Sequence, residues 1–266
     1  MHYAKLQARR RWTRSRNLNR VPPLAPCAIE SIILGANQVH DAICSPPSKT
    51  IATFEVGSSI VPARHVSGDF VISFEHRGSW FVALGDLMGK GLSAAMWLTH
   101  VVDMIHRACE RESELPAIMT SMNREMHHSR LGVPLTALFL ARLEPFGSQV
   151  TYSCGGCPSA FLLRADQSVK MLDKGGPILG ALPHATYESR TLDLNQQDTL
   201  MAVSDGILEV HRAGDFELQP ERVIQHLRST ARKSSLEIAQ SLTAKVKSAL
   251  PQFSDDLSVL AVKRIA

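Results

Sequence analysis

The sequence predicts an α+β fold. Short apolar runs recur along it, each closed by Gly, Pro, Asp or Ser, which is the pattern of strands and turns. Helical spacing is confined to two clusters, one within residues 92–128 and one within 220–250. Strands and helices do not alternate as βαβ units, which argues against a doubly wound parallel sheet.

The chain divides into a basic, Pro-containing arm over residues 1–50 and a folded domain over 51–266. The arm carries Lys5, Arg9, Arg10, Arg11, Arg14, Arg16 and Arg20 before any acidic residue. Pro22, Pro23, Pro26, Pro46 and Pro47 follow. Such a segment is expected to be poorly ordered, with a weak helix or strand signal at 28–36. The domain opens with a strand at 54–61 that stops at Pro62. The organising stretch is 66–91, VSGDFVISFEHRGSWFVALGDLMGKG. Its apolar runs, 70–74 and 80–84, flank a turn at Arg77-Gly78 and read as a hairpin. Past Gly91 the rhythm becomes helical, with Leu92, Ala95, Met96, Thr99, Val102, Ile105 and His106 on one face. Ser113 reads as the N-cap of a second helix over 115–128, with Pro116 in its first turn. His127 and His128 are neighbours, so they point apart on that helix and read as surface residues. Strands return at 136–143, 150–154, 160–163, 169–172, 187–194 and 199–203. Helices at 220–229 and 236–250 precede a last strand at 257–262.

Composition fits an ordinary globular core, at 44% hydrophobic and 20% charged residues. The net charge of +4 comes from the start of the arm: without those seven basic residues, 22 basic stand against 25 acidic, about −3. The folded part therefore has no nucleic-acid footprint, and only the arm offers one. Five cysteines, an odd count, and no secretory apolar segment point to reduced thiols and a cytoplasmic location. The longest apolar helix is broken by His100, Asp103 and His106, which excludes a membrane span.

Asp residues mark the chemistry. Asp69 opens one strand of the hairpin and Asp86 closes the other, so antiparallel pairing brings them side by side. Asp205 follows a strand end, and Asp255 and Asp256 precede a strand start. Capping of turns explains each Asp taken singly. Taken together, carboxylates on one rim would repel unless a hard cation neutralises them. Four can hold two divalent ions about 3.5–4 Å apart, which acidify a shared water and neutralise a phosphoryl oxygen. No protein nucleophile is then needed, and no Ser-His-Asp or Cys-His arrangement stands out. The Gly85–Gly91 turn lacks the spacing and the final Ser or Thr of a phosphate-binding P-loop.

These residues resemble a known family. Pro62-Ala63-Arg64, Ser67-Gly68-Asp69-Phe70, Gly85-Asp86 with Gly89-Lys90-Gly91, Gly176-Pro177-Ile178-Leu179-Gly180, Ser204-Asp205-Gly206-Ile207 with Glu209, and Asp255-Asp256-Leu257-Ser258 are similar to the metal-dependent serine/threonine protein phosphatases. This is the PPM, or phosphatase-2C-like, superfamily, and the likeness is to the bacterial branch typified by SpoIIE and RsbU. Order and spacing fit over 54–262. The resemblance implies a two-layer antiparallel β-sandwich flanked by α-helices, with two Mn²⁺ or Mg²⁺ ions at one edge. It implies Asp86 bridging both metals, the Leu87 carbonyl as a further ligand, Asp205 and Asp255 on one side, and Asp69 from the other hairpin strand. Asp86 and Asp205 are the expected catalytic positions, and Asp256 is expected outside the inner ligand set. Arg64 is a candidate grip on the substrate phosphate, with a surface ion pair as its alternative. The implied substrate is phosphoserine or phosphothreonine on a small regulatory protein of the anti-sigma-factor antagonist type. No sensor pattern precedes the domain, so an upstream sensor protein is the expected input. A non-catalytic, partner-binding phosphatase-like module is the competing reading. One departure stands out: Cys154-Gly155-Gly156-Cys157-Pro158 replaces the branch's Asn-Ala-Gly-His-Pro turn, and its Cys-x-x-Cys spacing reads as a structural turn.

Overall fold

The computed structural model describes residues 26–44, 47–89, 91–156, 159–212, 215–218, 220–249 and 254–265. Two sheets face each other. The first has strand order β1 (Ser48–Ile51), β2 (Phe54–Val61), β14 (Leu257–Arg264), β11 (Thr199–Val203), β7 (Ser159–Leu163) and β8 (Val169–Leu172). The second runs β10 (Arg190–Asp193), β6 (Gln149–Gly155), β5 (Thr136–Leu143), β4 (Ser79–Leu87) and β3 (Asp69–His76). All of these neighbours pair antiparallel. The two-residue β9 (Gly175–Gly176) adds a parallel pair to β6.

Alternation of side chains sorts the core into layers. Val82 and Leu84 of β4, Phe139 and Ala141 of β5, and Leu260 and Val262 of β14 meet between the sheets. Their neighbours Phe81, Ala83, Leu138 and Leu140 face outward onto α2 (Leu92–Arg111) and α3 (Leu115–His128). On the far side Val259 and Ala261 meet α5 (Pro220–Thr230) and α6 (Ser235–Ala249). Strands buried on both faces read as continuous apolar runs, which explains their sequence. The result is the expected helix–sheet–sheet–helix stack. At its centre Phe139 is fully buried and stacks on Tyr152, ring centres 6.2 Å apart. Phe139→Ala is expected to cost about 3–5 kcal/mol, read as a lowered midpoint in denaturant unfolding with unchanged slope.

Between the arm and the domain the structure differs from the sequence reading. The described residues of this stretch are not a loose tail: Pro26–Ile43 is a helix, α1, and Ser48–Ile51 is strand β1, paired to β2. Pro26 sits in the first turn, where a missing N–H costs nothing. The basic run from Lys5 to Arg20 lies outside the described residues. Helix α3 begins with Glu114 at its N-cap and no side-chain capping bond, so Ser113 is not the cap. The strand expected at 187–194 shortens to β10. After Asp205 a single helical turn, α4 (Asp205–Leu208), leads into a hairpin of β12 (Glu209–Arg212) and β13 (Asp215–Leu218) that the sequence did not announce. Among the described residues no helix is long and apolar enough to cross a membrane.

Candidate active site

Two strand pairs, one in each sheet, deliver the carboxylates. The first is the β3–β4 hairpin. Its two-residue turn, Arg77-Gly78, has φ of 52° and 79°, the left-handed pair that matches strand twist. This short turn fixes the register, and the register sets Asp69 directly opposite Asp86. One step inward Phe70 faces Gly85. A Cβ at Gly85 would lie 2.2 Å from the Phe70 ring, so the ring covers a position that only glycine leaves open.

The second pair is β11 with β14. Val203 is opposite Val259, so the exit of β11 adjoins the entry to β14. Ser204 ties the two segments: its N–H donates to the Ser258 carbonyl (2.9 Å), and its hydroxyl donates to the Asp256 carbonyl (3.1 Å). The same Oγ accepts from the Ser258 N–H at 2.9 Å. A Cβ on Gly206 would meet the Asp256 carbonyl oxygen at 2.2 Å. Asp205 is thereby held against the segment that carries Asp255 and Asp256.

The 62–68 connection crosses from β2 in the first sheet to β3 in the second. Asp256 holds its base. Asp256 Oδ1 accepts from the Ala63 N–H at 2.7 Å. Oδ2 accepts from the Ser67 hydroxyl and the Gly68 N–H, each at 2.8 Å. Ser67 Oγ in turn accepts from the Asp69 N–H at 3.0 Å. Gly68 packs on the segment after Asp86: the Leu87 N–H reaches the Gly68 carbonyl at 3.4 Å. The Leu87 and Gly89 carbonyls lie 3.3 Å from where a Gly68 Cβ would stand. Arg64 and His65 are exposed in this connection. The Arg64 Cδ lies 3.8 Å from the position of a Gly91 Cβ, so its side chain lies over the corner that starts α2.

The electrostatics report how near these groups are. Burial first, then the Asp86 and Asp256 carboxylates, hold Asp69 well above the usual carboxylate range. For Asp86 the order is burial, then Asp205, Asp255 and Asp256, and the direction is the same. Carboxylates from both sheets thus share one field. Asp69 is 2% exposed, and its Oδ2 is buried with no hydrogen-bond partner. An orphaned carboxylate oxygen beside other carboxylates, with an all-oxygen donor set, fits a hard divalent cation. Among the described residues, no three His, Cys, Asp or Glu side chains are grouped closely enough to hold an ion as they stand.

Asp69 and Asp86 bind protons more tightly folded than unfolded. The native state then carries more protons, so their contribution to stability falls as pH rises from the unfolded carboxylate range through neutrality. Without divalent ions, Asp86→Asn is expected to raise the melting temperature at pH 8 by about 2–4 °C per kcal/mol of repulsion removed. At pH 4 the difference is expected to shrink. Thermal melts in chelator at the two pH values check the sign.

The sequence reading missed His40. It lies on α1, buried, and its Nε2 donates to the Asp69 carbonyl at 2.9 Å. Adjacent His127 and His128 do not converge: each Nδ1 goes to a backbone carbonyl, of Gly180 and Arg124 respectively. Cys154 is buried, and Cys157 lies outside the described residues.

With this geometry in place, comparison with known proteins decides the family. Residues 76–265, more than half of the chain, match the family Stage II sporulation protein E (SpoIIE). The chain belongs to the SpoIIE family. Phosphoserine phosphatase RsbU of Bacillus subtilis is 24% identical over 89% of this chain and 71% of its own length. The fold of this SpoIIE-family chain is that of phosphatase-2C domains. The SiaA-PP2C domain of Pseudomonas aeruginosa superposes with a TM-score of 0.74 at 19% identity, covering 89% of this chain and 96% of that one. RsbX, solved in complex with magnesium, gives 0.60 at 15% identity over 81% and 97% of the two chains. As a SpoIIE-family member the chain is a serine/threonine phosphatase.

Proposed function

We propose that this SpoIIE-family chain is a divalent-metal-dependent phosphatase that removes phosphate from phosphoserine or phosphothreonine on a small regulatory protein, of the anti-sigma-factor antagonist type. The observation that carries the reading is the pairing of Asp69 with Asp86 at one sheet edge, in the same field as Asp205 and Asp255 from the other. The side chains of Asp69, Asp86, Asp205 and Asp255, with the Leu87 carbonyl, would hold two Mn²⁺ or Mg²⁺ ions. RsbX, of the same fold, was solved with magnesium. When bound, such ions supply Lewis acidity toward water and a phosphoryl oxygen near neutral pH.

The chain's own groups do the rest. Asp86 bridges the two halves of the rim, and Asp205 fixes the half built on β11 and β14. Arg64, exposed beside the Gly91 corner, would take two phosphate oxygens through its planar guanidinium. Selection of the protein substrate falls to the surface around the rim, and activation to an upstream sensor protein.

A second reading, a phosphatase-like module that only docks a partner, draws on the absence of a closed three-ligand group among the described residues. One experiment separates the two. Purified protein is incubated with Mn²⁺ and a phosphorylated antagonist from the same cell, and phosphate release is followed. The phosphatase reading expects release that needs Mn²⁺ and stops on chelation. No release at any Mn²⁺ concentration supports the module.

A further inference from the structure

Asp256 carries more than its position beside Asp255 requires. It is 5% exposed, and its carboxylate accepts three hydrogen bonds, all from the 62–68 connection. These partners lie nearly two hundred residues away in sequence. They sit on both sides of the exposed pair Arg64-His65, so the carboxylate pins both legs of the loop and leaves its tip outside. Only an acceptor at both oxygens satisfies donors on both, which a carboxylate does and a neutral amide does not. The pinned base continues into Asp69 through Ser67 Oγ and touches the Leu87 segment through Gly68.

We infer that Asp256 is a positioning residue: it clamps the 62–68 loop so that Arg64 meets the substrate phosphate while Asp69 and the Leu87 carbonyl keep their places on the rim. This rests on the phosphatase reading for its consequence, but the clamp itself does not.

The clamp is tested first without metal or substrate, by amide exchange followed residue by residue in NMR. Hydrogen bonds to a charged acceptor shift a local opening equilibrium by about 10- to 100-fold. In Asp256→Ala both Ala63 and Gly68 amides are expected to exchange faster by that factor, while the amides of β4 and β5 are unchanged. Asp256→Asn gives a split result. Its single oxygen is expected to take the position that serves two donors, Ser67 and Gly68, leaving the amide group toward Ala63. Gly68 then stays protected and Ala63 does not. If Asp256→Ala unfolds the protein, the Asn variant alone decides. Unchanged exchange at both amides overturns the clamp.

The consequence is read in Mn²⁺-dependent kinetics on a phosphoserine peptide. Loss of positioning is expected to raise KM about 10-fold in Asp256→Ala, with a smaller rise in Asp256→Asn, and to lower kcat as Asp69 and the Leu87 carbonyl lose their places on the rim. Freed amides with an unchanged KM overturn the positioning role. Wild-type protein without any turnover counts against the phosphatase reading, and the exchange data then still decide the clamp.

Discussion

Asp86→Ala is expected to lower kcat/KM on a phosphoprotein by about 1,000-fold or more, because it removes several kcal/mol of transition-state stabilisation. The reason is its place. Asp86 lies opposite Asp69 in the hairpin register, and the carboxylates of Asp205, Asp255 and Asp256 all act on it. In the proposed site it would join the two halves of the rim, and no neighbouring group would replace it. The fold is expected to survive. The hairpin is held by its backbone ladder and by Phe70 over Gly85, and the Asp86 carboxylate is a source of repulsion rather than cohesion. Activity with Mn²⁺ and a thermal melt on the same preparation check both halves. Wild-type turnover in a folded variant removes Asp86 from the site.

Gly206→Ala is expected to damage stability and site together. The added Cβ would stand 2.2 Å from the Asp256 carbonyl oxygen, which is backbone and cannot rotate away. That oxygen also accepts from the Ser204 hydroxyl. Relief requires the Asp205 turn to move away from the entry to β14, separating Asp205 from Asp255. Overpacking of this kind costs about 1–3 kcal/mol, expected as a lowered unfolding midpoint, together with weakened Mn²⁺ binding. Gly147→Ala is the control. Its Cβ would make only ordinary contacts, the nearest at 3.6 Å, so little change is expected in either measurement.

Much of this fold is legible in the sequence where the signal is local. Strand β2 ends at Val61 because Pro62 follows, and the hairpin follows from two apolar runs about a two-residue turn containing Gly78. The adjacency of Asp69 and Asp86 needs nothing beyond antiparallel pairing. Helix α1 was obscured because Pro22, Pro23, Pro26, Pro46 and Pro47 argue for an irregular arm. Ile29, Ile32, Leu34 and Val39 on it stay exposed, so its apolar spacing does not mark one clean buried face. The β12–β13 hairpin was obscured because Glu209–Arg212 and Asp215–Leu218 carry charged residues where a buried strand would carry apolar ones.

At the site, the residue types are legible locally and the hydrogen-bond partners of each are not. Asp255 and Asp256 are chemically identical neighbours, and nothing in their local sequence says that one faces the loop at 62–68. That fact depends on β2 and β14 pairing with Val61 beside Leu257, a contact between distant parts of the chain. His40 is a similar case: its bond to the Asp69 carbonyl exists only because α1 folds back over the hairpin.

Calorimetric titration of the metal-free protein with Mn²⁺ tests the central claim most directly, with Asp86→Ala as the paired sample. Carboxylates from both sheets converging on shared cations predict two binding events in the wild type and loss of both tight events in the variant. A wild-type protein that takes up no Mn²⁺, or an Asp86→Ala protein that binds as the wild type does, contradicts it.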